Sequence, residues 1–97
     1  NTTWTDGPTA LFPDTVTERG QKHLVELMAV LPEARAVFVP CLSRPDVTSF
    51  APGDSADPRY GELFREALKA GVEVLPCCFR FQDDRILWEG VRPLRPV

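Results

Sequence analysis

Residues 10–24, ALFPDTVTERGQKHL, set a turn, a helix start and a polar cluster of Asp14, Arg19, Lys22 and His23 directly before an apolar stripe. Leu24, Leu27, Met28 and Leu31 recur at the three-and-four spacing of a helix with one buried face. That pattern predicts a first helix opening at Thr15 or Thr17 and closed by Pro32. Thr15 and Glu18 fit a capping box, in which the hydroxyl accepts an orphan N–H and the carboxylate reaches back.

The remaining segments predict an α/β layer. Residues 1–5 (NTTWT) read as the tail of a strand, followed by a turn at Asp6-Gly7-Pro8. Residues 35–42 (RAVFVPCL) have the length and apolarity of a strand, with Pro40 lacking a ladder donor and implying a bulge or an edge. Residues 43–56 read as a long polar loop. Asp57-Pro58 supplies a cap and a first-turn proline for a second helix carrying Tyr60, Leu63, Phe64, Ala67 and Leu68, and Gly71 supplies its stop. Residues 72–81 and 85–89 form a hairpin about Gln82-Asp83-Asp84, and residues 92–97 are extended. The expected order is β-α-β-α-β-β, with a parallel crossover unit over 35–81. Such a half-layer has open sheet edges, so a longer protein is expected to complete it, and the chain opens on Asn1 rather than Met.

Ninety-seven residues suit one small domain or part of one. With 11 Lys and Arg against 14 Asp and Glu, the net charge is −3, which argues against an autonomous DNA-binding module, since phosphate neutralisation supplies most of such affinity. No apolar run approaches the ~20 residues of a membrane span. Cys41, Cys77 and Cys78 lack zinc-site spacing and read as small core residues kept reduced in a cytoplasmic setting. Trp4 and Trp88 read as core or edge packing.

Asp14 is a candidate acid, base or ligand, and equally a turn residue bonding nearby N–H groups. Arg19 and His23 are four apart on one helix face, with Lys22 flanking them. Cations at a helix N-terminus oppose its dipole, a conflict that a bound phosphate removes. His23 is the single histidine and is equally suited to a core edge, bonded to Asp14 or to a carbonyl. Arg44 follows a strand end, where α/β folds place their sites, or pairs across Pro45 with Asp46.

FPDTVTERGQKHL (12–24), RPD (44–46) and SFAPGDSADPRYGELFREALKAGVEVL (49–75) together resemble the C-terminal portion of the sugar fermentation stimulation protein A family. The resemblance rests on the signature F-P-D-x-x-T-x-R-G-x-x-H-L and covers nearly the whole chain. It implies a two-domain parent, an OB-like barrel followed by a restriction-endonuclease-like domain of the PD-(D/E)xK type. Residues 1–97 would then be the C-terminal part of the second domain. The resemblance also implies DNA as partner, a link to regulation of sugar metabolism, and Mg²⁺ or Mn²⁺ held by an E-x-K region preceding Asn1, leaving no metal site within this segment. Motif positions carried over are Asp14, Thr17, Arg19, Gly20, His23, Arg44, Asp46, Phe50, Pro52 and Asp57. Pro13-Asp14 is not the nuclease "PD". The chain departs from the family pattern over residues 39–43, where Pro40 interrupts an otherwise apolar strand.

These readings give Asp14 and His23 as catalytic candidates and Arg19, Lys22 and Arg44 as contacts to nucleic acid. The leading expectation is a DNA-binding, nuclease-like module whose parent hydrolyses phosphodiesters with a metal, while the segment alone is inactive. The alternatives are a DNA-binding regulator without hydrolysis and an α/β domain for small molecules or proteins. No membrane partner is expected.

Overall fold

The computed structural model describes residues 4–95; the parts of the expected first strand and last extension at 1–3 and 96–97 lie outside the described residues. β1 (Trp4–Asp6) and β2 (Thr9–Phe12) form an antiparallel hairpin about Gly7, whose φ of 60° favours glycine. β5 (Ser49–Pro52) runs parallel to β2, with Thr9 opposite Ser49 and Phe12 opposite Pro52. Neither β2 nor β5 is expected from the sequence, and β5 lies inside the segment read as a loop. Both are four residues long, and Ala10, Leu11, Phe50 and Ala51 are all buried. With neighbouring residues buried on both faces, the period-two signal of a half-wet strand is missing.

α1 (Glu18–Ala29) is capped by Thr17, not Thr15: the Thr17 hydroxyl accepts the Gly20 N–H at 3.0 Å. Of the predicted stripe only Leu24 is buried, while Leu27, Met28 and Leu31 pack half-buried against the core. α2 (Pro58–Ala70) has the predicted caps, with Asp57 before it and Gly71 at φ 110° after it, donating to the Ala67 and Leu68 carbonyls.

The two longer strand runs are each cut by a proline. β3 (Val37–Phe38) and β4 (Cys41–Leu42) flank Pro40; β6 (Glu73–Val74) and β7 (Cys77–Gln82) flank Pro76. β3 pairs with β6 and β4 with β7, both parallel, in one shared register. The N–H groups of Glu73, Leu75 and Cys77 donate to the carbonyls of Ala36, Phe38 and Pro40 at 2.8–2.9 Å, carrying the ladder across the break. Pro40 thus removes a donor but keeps its acceptor in use.

β8 (Arg85–Val91) completes the predicted hairpin with β7, two residues longer than expected, about a turn in which Asp83 takes φ 54°. The chain after β8 returns to the first sheet, where Phe50 donates to the Pro93 carbonyl at 3.0 Å and accepts from the Arg95 N–H at 2.8 Å. Among the described residues the architecture is a mixed α/β fold of two helices with parallel and antiparallel pairing, in ten short elements rather than six. Its core gathers Phe50, Tyr60, Leu63, Phe64, Leu42, Val47 and Cys78. No described helix is long and apolar enough to cross a membrane.

Two cysteines differ from expectation, while both tryptophans pack at sheet edges. Trp88 is 58% exposed on the outer strand of the hairpin, edge-on to Phe79 at 5.5 Å. Cys41 is exposed and Cys77 half-buried, so only Cys78 is the expected core thiol. Trp4 packs at the edge, where its indole N–H donates to the Pro13 carbonyl at 2.9 Å.

Candidate functional site

The beginnings of both helices are tied together by Asp57, which is buried with 2% of its surface exposed. Its carboxylate accepts the Tyr60 N–H at 3.1 Å, as an N-cap does, and then reaches across to α1. There it accepts the Thr17 N–H at 2.9 Å and the Gln21 side-chain amide at 3.0 and 3.1 Å. Burial disfavours the charged form, but hydrogen bonds from Thr17, Gln21, Tyr60 and Arg59 outweigh it and hold the Asp57 pKa below the ordinary value. The carboxylate therefore does for Thr17 what Glu18 would do for Thr15 in the expected capping box.

This joint brings α1 so close to α2 that a Cβ on Gly20 would stand 3.1 Å from the Tyr60 ring. Beside it opens a cleft of about 330 Å³ between α1 and the Pro40 break. Tyr60 forms part of its lining, set edge-on to Phe12 at 5.5 Å. Burial, and then the Asp57 charge, push the Tyr60 hydroxyl pKa upward, so it stays a neutral phenol. Leu24, Leu27 and Phe38 give apolar walls, and Arg19 and His23 add polar groups from α1.

Arg19 and His23 therefore share a cleft, as their four-residue spacing predicts. Lys22 is exposed on the same helix but is not among the cleft-lining residues. Asp14 lies exposed in the bend before α1, outside the cleft lining, and among the described residues no hydrogen bond joins it to His23. Arg44 is also outside the lining; it forms a two-pronged pair with Asp46 at 2.6 and 3.1 Å and donates to the Thr5 hydroxyl at 3.4 Å. Hydrogen bonding and charge within that pair lower the Asp46 pKa and raise that of Arg44. Six arginines (35, 44, 59, 65, 80 and 95) are paired with carboxylates. Among the described residues, Arg19 and Lys22 have no such partner.

The other motif positions build the scaffold. Thr17 caps α1, Phe50 is fully buried, Pro52 closes β5, and Asp57 joins the helices. The sequence reading missed Phe12, Leu27, Phe38, Cys41 and Tyr60 as cleft residues, since an apolar residue at a cleft carries the same local signature as one in a core. Among the described residues no group of three or more His, Cys, Asp and Glu is placed to hold a metal ion. The described donors therefore do not by themselves make up a divalent-metal site.

The family pattern described as the sugar fermentation stimulation protein RE domain matches residues 1–85. A sugar fermentation stimulation protein homolog of Parasynechococcus marenigrum (strain WH8102) is 86% identical over 97 residues, all of this chain and 38% of that protein. One from Prochlorococcus marinus (strain MIT 9211) is 72% identical over 95 residues, 98% of this chain and 37% of that protein. The solved structure of Pyrococcus furiosus SfsA in complex with Ca²⁺ superposes with a TM-score of 0.90 at 32% identity, covering 96% of this chain and 41% of that one. The chain spans about 38% of the length of the curated relatives it matches. From its RE-domain match and these relatives, the chain belongs to the sugar fermentation stimulation protein family.

Proposed function

We propose that this chain is the nucleic-acid-facing part of a restriction-endonuclease-like domain in a longer DNA-binding protein of sugar metabolism, acting in the cytoplasm. Arg19 and Lys22 meet phosphates, and carboxylates elsewhere in the longer protein hold Mg²⁺ or Mn²⁺. Arg44 would have to open its pair with Asp46 to join them. The observation that carries this reading is the likeness to a relative solved with Ca²⁺. A Ca²⁺ ion binds hard oxygen ligands of the same general kind that Mg²⁺ takes. Because the described donors do not by themselves make up a metal site, no reaction step is assigned to Asp14 or His23.

The test uses the full-length protein with DNA and Mg²⁺ or Mn²⁺. Cleavage that EDTA abolishes supports the nuclease reading. Cleavage unchanged by EDTA rules out the metal. Salt-sensitive DNA binding without cleavage in any metal supports the regulator without hydrolysis, and absence of both binding and cleavage ends the nucleic-acid reading.

A further inference from the structure

We infer that the cleft between α1 and the Pro40 break receives a single unpaired nucleotide, a strand end or tail, rather than the backbone of a duplex. This rests on the nucleic-acid reading above and specifies the ligand of the same site. Three observations lead to it.

The first is size and shape. A cavity of about 330 Å³ lies at the small end of ligand pockets, room for one nucleoside and not for a stacked base pair. The second is the lining. Leu24, Leu27 and Phe38 present apolar surface for the flat face of a base, and Phe38, half-buried, offers an aromatic ring there. Arg19 and His23 line the same cleft, so a base within it would bring its phosphate toward Arg19 and Lys22.

The third is charge. The chain carries −3 overall, and six of its arginines are already paired with carboxylates. Two free cations on α1 neutralise about two phosphates, a salt slope of only roughly −1.4 for a single strand. Counterion release of that size gives little affinity to a smooth duplex backbone. Binding at this site must draw on insertion into the cavity, and an unpaired nucleotide offers its base without the few kcal/mol, roughly, that flipping one out of a duplex costs.

The test is fluorescence anisotropy on the full-length protein with two labelled probes, a blunt duplex and the same duplex with a short single-stranded tail. The tailed probe is expected to bind about tenfold or more tightly, as one stacked base allows. Leu27→Trp, which fills the cavity, should remove the difference between the probes, and Arg19→Gln, at an exposed position, should reduce it. Alkylation of the cleft-lining Cys41, followed by peptide mass spectrometry, should slow when the tailed probe is bound. Equal affinity for both probes, with Cys41 alkylated as fast as before, overturns the single-nucleotide inference while leaving DNA binding intact. Failure to bind either probe overturns the nucleic-acid reading itself.

Discussion

The backbone N–H of Thr17 donates to the Asp57 carboxylate at 2.9 Å across forty residues of sequence, joining the first residue of one helix cap to the cap of the other. One side chain thus satisfies orphan donors at two helix starts. The cleft inherits its geometry from that joint, because Arg19, Gly20 and His23 follow Thr17 within the first two turns of α1.

Asp57→Ala should cost about 3 kcal/mol, from a lost cap and from buried donors left without an acceptor. Asp57→Asn keeps the shape and one acceptor oxygen and should cost less, about 1–2 kcal/mol. Urea denaturation of the two variants against the parent checks the order.

Thr17→Ala should destabilise by about 1 kcal/mol, and Thr17→Ser by only a few tenths. Thr15→Ala should be nearly neutral, since Thr15 is exposed and caps nothing. Equal losses at both positions in thermal denaturation would contradict the observed cap.

Gly53→Ala should destabilise by about 2 kcal/mol or more, because its Cβ would overlap the Pro13 carbonyl. The obstacle is backbone rather than a movable side chain, and the Gly53 N–H is held to the Phe12 carbonyl at 2.7 Å. A denaturation midpoint equal to that of the parent would show that the β2–β5 junction can give way.

The Asp57 pKa is depressed below its ordinary 3.8, so its stabilisation is fully present above about pH 4. That contribution is lost as pH falls from there through the folded-state value, because the unfolded chain takes up the proton first. Asp57→Asn should therefore flatten the acid limb of a stability-against-pH curve. The measurement is denaturant midpoint from pH 7 down to about pH 3, a window set by that reference value.

Arg19→Gln in the full-length protein should weaken DNA binding about three- to tenfold and make it less salt-dependent. Arg44→Gln should change affinity by less than about twofold, since its guanidinium is already closed in a fork with Asp46. Anisotropy titrations at two salt concentrations distinguish them, and a larger loss at Arg44 would show that its pair opens on binding.

The legible parts of this fold were those with signals confined to a few adjacent residues. Asp57-Pro58 and Gly71 bound α2 as read, and the Gln82-Asp83-Asp84 turn made its hairpin. Thr15 and Thr17 were both plausible caps because a capping box weighs only residues three apart. The winner was decided by Asp57, which no local rule connects to α1. At the site, Arg19 and His23 were legible as one face, whereas Phe38, Cys41 and Tyr60 were not, because they reach the cleft from separate elements.

By itself the sequence determined the helices, the hairpin and the family signature, because caps, turns and apolar periodicity act within a turn or two of chain. Only the tertiary structure decided β2 and β5, whose short, doubly buried runs become strands through each other's hydrogen bonds. It also decided that the Pro40 and Pro76 breaks fall side by side in one register, keeping the parallel ladder intact. The cleft belongs to the same class: it exists because a buried carboxylate holds two helix starts together, and that hydrogen bonding spans forty residues.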